Sequence, residues 1–268
     1  MSGLAAVTGA TSGIGRAYAE ALAREGRPLW IHGRRRDVLE EAAHDLVARY
    51  GVPVEVMTAE LGDARGRRLV AERLAALRDV AFLVNNAGYW LPKDFWEHEP
   101  EDITALVGVH VEGPLLLSRA VLPGMRARGR GCIVNVASVA ARMPTRMLEL
   151  YAPLKAALLT HSEALHVALR GSGVRVQALL PGYTRTEFHR RLGMEPDRLA
   201  RAWMSPDAVV AASRRALAAD RPVCVPGWRN RLVFSLIPLL PRRLFYALAR
   251  RRGLRSRARW RDLAAKGR

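Results

Sequence analysis

Short apolar runs punctuate the chain at Gly3–Thr8, Leu29–His32, Val80–Val84, Ile133–Ala137, Val174–Leu180 and Val223–Val225, and Val52–Met57 alternates apolar with polar. All have the length of strands. Between them lie stretches of helical period: Ala17 to Ala23 closing at Gly26, Val38–Tyr50, Ala64–Leu77, Ile103–Leu122 and Pro206–Ala218. Pro123 suits the end of the long fourth helix. Strands alternating with helices at this interval predict an α/β fold with a parallel sheet covered on both faces. Glu187–Trp203 mixes Phe188, Leu192, Met194, Leu199 and Trp203 with many charges, and reads as a mobile helical lid.

In such a sheet, ligands bind beyond the carboxyl ends of the strands. Gly9, Arg34, Glu60, Asn86 and Ser138 all fall at such ends. The first strand runs into Thr8-Gly9-Ala10-Thr11-Ser12-Gly13-Ile14-Gly15 and then a helix. Glycines let backbone approach a pyrophosphate closely, and a helix start offers free N–H groups at the positive end of its dipole. At the end of the second strand, Gly33-Arg34-Arg35-Arg36 stands where a dinucleotide site meets the adenosine ribose. With no carboxylate before Asp37, Arg34 predicts NADP in preference to NAD, whereas Arg35 and Arg36 suit a solvated turn.

Tyr151 and Lys155 are four residues apart, so on a helix they share one face. An adjacent ammonium favours a phenolate, so the pair predicts a tyrosine with a lowered pKa, able to act as general acid or base. Ser138, just after the fifth strand, can meet that tyrosine across a cleft and hold the same substrate oxygen. The chain has 3 Lys against 40 Arg, and one of those lysines is Lys155, whose role needs a compact, titratable cation.

The 268 residues suffice for one large domain, and 50% hydrophobic residues argue against disorder. Cys132 and Cys224 read as small core residues in a reducing compartment, and no His/Cys cluster has metal spacing. Of the net charge of +18, +12 lies in 228–268, not interleaved with a base-stacking surface, which argues against nucleic acid as a partner. The chain enters its first strand directly, and no apolar stretch approaches the ~20 residues of a membrane span, so a cytoplasmic setting is expected. In the tail, Leu232–Leu240 is apolar, Pro241 suits a helix start, and Leu244, Ala247 and Leu248 share a face bordered by Arg242, Arg243, Arg250 and Arg252. That pattern suits peripheral contact with an anionic membrane; packing on the domain or a partner subunit, or a solvated terminus, would read the same way.

Together, Thr8-Gly9-xxx-Gly13-x-Gly15, Asn85-Asn86-Ala87-Gly88, Ser138, Tyr151-xxx-Lys155 and Pro181-Gly182 with Thr186 resemble the short-chain dehydrogenase/reductase family over Gly3–Pro226. The resemblance implies a Rossmann-type, doubly wound sheet of about seven strands in a single domain over residues 1–227, within which the lid read above falls at about 184–205; the basic amphipathic extension over 228–268 lies beyond the family core. It implies Tyr151 as proton donor or acceptor, Ser138 orienting the carbonyl, and Lys155 on the nicotinamide ribose. NADP(H) would be held by Gly9, Thr11, Ser12, Gly13, Ile14 and Gly15, by Arg34, by Glu60 with Leu61 near the adenine, by Asn86, Ala87 and Gly88, by Pro181, Gly182, Thr184 and Thr186, and by Tyr151 and Lys155. Homodimers or homotetramers through the long helices are also implied. The family's usual Asn in the long helix, part of a proton relay, is replaced by His110, so a relay through His110 survives altered or weakened. Tyr89, Trp90, Phe95, Trp96, Met143, Leu148, Tyr183, Phe188 and Trp203 are candidate walls for a small lipophilic alcohol or ketone; packing of the lid or of a subunit interface explains each of them, taken singly, at least as well. The alternative to an oxidoreductase is a non-catalytic NADP-binding sensor or scaffold; the intact Ser138, Tyr151 and Lys155 count against it.

Overall fold

A computed structural model describes residues 3–144, 148–191 and 203–250. Seven parallel strands form one sheet: β1 Leu4–Thr8, β2 Leu29–Gly33, β3 Val54–Thr58, β4 Val80–Asn85, β5 Gly131–Val136, β6 Val174–Leu179 and β7 Val223–Cys224. Their order across the sheet is β3-β2-β1-β4-β5-β6-β7. The order reverses between β1 and β4, which opens a crevice beyond their carboxyl ends. Helices cover both faces: α1 Gly13–Ala23, α2 Arg36–Tyr50, α3 Ala64–Ala76, α4 Pro100–Val107, α5 Gly113–Ala127, α6 Tyr151–Ala168, a short α7 Glu187–Arg191, α8 Pro206–Ala218 and α9 Trp228–Leu236, with a further helix over 242–250.

Local sequence explains most boundaries. Asp63 caps α3 by accepting from Gly66 N–H, and Ser205 caps α8 by accepting from Ala208 N–H, with Pro206 in the first helical position. Gly51, at φ 66°, ends α2 in the left-handed region. Both β2 and β5 are buried along their whole length, as central strands between two helix layers must be. Tyr18, Leu22, Leu39 and Leu46 fill one layer; Trp30, Leu74, Leu83, Leu117 and Met125 fill the other. Each such leucine stabilises the fold by about 2 kcal/mol through burial.

The long fourth helix departs from expectation. It spans Pro100–Ala127, with a five-residue π turn at Gly108–Glu112 in its middle, and Pro123 lies inside α5 rather than at its end. Its length and composition would allow a membrane crossing, unlike the estimate from apolar runs alone, but half of its apolar window is buried in the domain. Gly108 allows the π turn to meet a buried guanidinium: a Cβ there would lie 2.1 Å from Arg67 Nη1. Arg67 donates to the carbonyls of Leu61 and Gly62 at 3.0 and 2.9 Å and pairs with Glu112 at 2.5 Å. One arginine thus ties the loop after β3 to the π turn.

Candidate active site

The glycine-rich turn sits at the carboxyl end of β1. Gly9 and Gly13 have φ of 65° and 58°, where a side chain would be strained. A Cβ on Gly15 would lie 2.1 Å from the Gly9 carbonyl oxygen and 2.4 Å from Asn86 Nδ2. Asn86 fixes the same turn from β4, donating through Nδ2 to the carbonyls of Thr8 and Gly9, each at 3.0 Å. The Thr8 hydroxyl accepts from the N–H groups of Asn86 and Ala87, clamping β1 to the start of the neighbouring loop.

One cavity of about 840 Å³ runs from this turn across the strand ends. At the adenosine end, Arg34 donates to Glu60 at 3.1 Å and lies 5.1 Å from the centre of the Tyr89 ring. Arg35 is not simply solvated: it reaches Glu187 of α7, at 3.2 Å. Glu60 also accepts from Gly62 N–H, so the loop held by Arg67 presents it to the cavity. A glycine turn open to the cavity and a helix N-terminus behind it fit the diphosphate of a nicotinamide dinucleotide.

At the other end, Tyr151 opens α6 and shares a hydrogen bond with Ser138. The Ser138 oxygen also accepts from Ala140 N–H at 3.1 Å, fixing its direction. Lys155 is buried one turn along, donates to the Val136 carbonyl at 2.7 Å, and has its Nζ 5.7 Å from the centre of the Tyr151 ring. Burial pushes Lys155 down to about 7. The lowered tyrosine expected from the sequence is not found: burial pushes Tyr151 up to about 12, and the Ser138 hydrogen bond opposes this only in part. The correction has a simple cause. Burial penalises both charged forms, and a lysine itself held near 7 provides less field than a permanent cation.

His110, in the π turn, is fully buried with its ring edge-on to Tyr151, the centroids 5.4 Å apart. Its Nε2 donates to the Tyr89 carbonyl at 2.6 Å. Nδ1 is then a lone-pair acceptor, with no partner among the described residues. Burial, reinforced by Lys155, holds the imidazole well below its ordinary pKa, so it is neutral. Gly88 makes room for it: a Cβ there would lie 2.6 Å from His110 Cε1.

The structure brings all four residues of the predicted reaction centre to this cavity. It also places there every predicted cofactor residue except Gly15, which is buried and serves the turn by close packing instead. Of the candidate substrate walls, Tyr89, Trp90, Met143, Leu148, Tyr183 and Phe188 line the cavity. Phe95, Trp96 and Trp203 do not; Phe95 and Trp96 are exposed, and Trp203 stacks on Tyr183. Of the lid, α7 is helical and 192–202 lies outside the described residues. Sequence reasoning missed Arg229, Asn230 and Val233 of α9, which line the cavity although they follow Pro226. Asn230 packs on the loop after β6, where a Cβ on Gly182 would lie 2.6 Å from its Nδ2. Only the amphipathic character of the extension hinted at such packing.

The fold and this site define an oxidoreductase of the nicotinamide-nucleotide type. A family model described as short chain dehydrogenase matches residues 4–197, and the chain belongs to that family, whose members interconvert alcohols and carbonyls with NAD(P). It is 32% identical over 247 residues to a very-long-chain 3-oxoacyl-CoA reductase of Anas platyrhynchos, covering 87% of this chain and 75% of that protein. A short-chain dehydrogenase from Sphingobium yanoikuyae, solved in complex with NADPH, shares 33% identity with a TM-score of 0.79, over 84% of this chain and 88% of the other. The human inactive hydroxysteroid dehydrogenase-like protein 1 is 34% identical over 186 residues, which is 69% of this chain but 56% of that protein.

Proposed function

We propose that the protein is an NADP(H)-dependent reductase of a lipophilic ketone, with Tyr151 as general acid. The observation that carries this reading is the Ser138–Tyr151–Lys155 cluster at one end of a cavity whose other end is the glycine-rich turn. Bound nicotinamide supplies the hydride; the protein supplies position and protons. With its pKa pushed up to about 12, Tyr151 holds its proton at neutral pH and delivers it to the carbonyl oxygen that Ser138 orients. Lys155 holds the ribose hydroxyls, and neutral His110 keeps an acceptor beside the tyrosine. Arg34 selects the 2′-phosphate. Trp90, Met143, Leu148 and Phe188 give the substrate end its apolar lining, in keeping with the long-chain acyl carbonyl named for the Anas relative.

Independently of that reading, we propose a cytoplasmic setting with the 228–268 extension touching an anionic membrane, and a homodimer or homotetramer through the long helices, whose Leu115, Leu116 and Val167 are exposed. NADPH oxidation against a panel of aromatic and long-chain ketones tests the reading. Turnover that falls at least a hundredfold in Tyr151→Phe with cofactor affinity retained supports it; near-normal turnover in that variant refutes the assignment. The absence of turnover with every ketone, with NADPH still bound, would favour a sensor or scaffold, as the relative named inactive illustrates.

A further inference from the structure

Helix α9 is two-sided in an unusual sense. Its inner side covers the cavity with Asn230 and Val233 and anchors through buried Phe234, on whose ring the Arg142 guanidinium sits at 4.2 Å. A helix on the surface of a domain then turns polar residues outward. Here Trp228, Leu232 and Leu236, followed by Leu239, are spaced by four, four and three residues, and all are exposed, Trp228 by 72% and Leu239 by 76%. The helix over 242–250 repeats the arrangement: Phe245 is buried, while Leu244, Tyr246 and Leu248 are exposed.

The occupant of this face follows from its charge. Residues 228–250 carry five arginines and no acid. A second copy docking face to face would set these arginines against each other. Residues 251–268, outside the described ones, add eight cations and one acid by sequence, so they cannot neutralise the face either. A bilayer surface with anionic headgroups offers both things the face lacks: an apolar layer for the leucines and counter-charge for the arginines.

We infer that the outward side of α9 and of the helix over 242–250 docks on an anionic lipid bilayer, and that the cavity takes its lipophilic substrate from that surface beneath α9. The second half rests on the reductase reading; the first does not. Truncation at Gly227 would strip a wall from the cavity, so full-length surface variants are the test. Leu232→Ser with Leu236→Ser and Leu239→Ser removes the apolar stripe, and Arg242→Glu with Arg243→Glu reverses part of the charge. None of these residues lines the cavity.

Flotation is measured with phosphatidylcholine vesicles and with vesicles of phosphatidylcholine plus phosphatidylglycerol. The wild type is expected to float with the second far more than the first, and each variant to lose about tenfold or more in partitioning. NADPH oxidation is then compared for a short, water-soluble ketone and for a long-chain ketone dissolved in the anionic vesicles. The variants should keep the first activity and lose the second by the factor lost in flotation. Failure to float, or variants floating like wild type, overturns docking. A dimer in ultracentrifugation that the same substitutions dissolve assigns the face to a second copy and also overturns it. Unchanged turnover of the vesicle-borne ketone in non-floating variants overturns entry from the bilayer. Absence of turnover with both ketones defeats the reductase reading and the entry route with it, leaving the flotation result to decide docking alone.

Discussion

Replacing Lys155 by methionine keeps the length and apolar stem of the side chain and removes its ammonium. Lys155 is 4% exposed, and its pKa falls from 10.5 to about 7 through burial. At pH 7 the unfolded chain therefore binds almost a full proton at this site, and the folded chain about half of one. The difference makes the folded state about 4 kcal/mol less stable than it would be with no penalty at this position. Methionine escapes that penalty but gives up the hydrogen bond to the Val136 carbonyl, which offsets about 1–2 kcal/mol. The variant should thus be stabler by about 2 kcal/mol at pH 7, raising Tm by several degrees, while losing reductase activity. The sign with pH is specific. For a lysine with a depressed pKa, the penalty is fully present below the folded value near 7 and is relieved as pH rises towards 10.5. Paired thermal melts of wild type and Lys155→Met from pH 6 to pH 10 should show the gain shrinking steadily above neutrality. A variant less stable than wild type at pH 6, or a difference that ignores pH, would refute a burial-driven origin.

Three further outcomes follow from the site. Gly15→Ala sets a Cβ against the Gly9 carbonyl, which is backbone and cannot swing away, so NADPH affinity should fall at least tenfold in fluorescence titration while the fold persists by circular dichroism. His110→Asn should retain or raise turnover, because asparagine also offers a donor and an acceptor; complete loss would give the imidazole a role beyond hydrogen bonding. Arg34→Leu should cut kcat/KM with NADPH about tenfold or more and spare that with NADH, and equal losses with both would remove Arg34 from cofactor choice.

The fold was legible because the strands are apolar runs separated by helical periods, and because glycine positions such as Gly9 and Gly13 report backbone demands that no other residue meets. Tyr151 and Lys155 were legible as a pair because four residues make one helical turn. The direction of the tyrosine pKa was not, since burial depends on what packs around α6 and not on the spacing within it. The π turn left no periodic trace, and the close approach of Arg67 to Gly108 that accompanies it joins positions 41 residues apart in sequence. Arg229, Asn230 and Val233 escaped notice for the same reason. Their place in the cavity arises from Asn230 meeting Gly182 across the fold. Aromatic content alone could not decide between cavity wall and surface for Phe95 and Trp96, which are exposed and do not line the cavity.

The two arginines at the adenosine end are each matched by a carboxylate before any ligand arrives, Arg34 by Glu60 and Arg35 by Glu187. A phosphate entering there performs an exchange of partners rather than an addition to bare charge. Its gain is the difference between two ion pairs, and a carboxylate is set free for each guanidinium it captures. Half-exposed pairs of this kind are worth about 0–1 kcal/mol, so the internal competitor is weak and readily displaced. Because Glu187 belongs to α7, the swap at Arg35 would also release one tether between the nucleotide end and the helix that carries Phe188 over Tyr151.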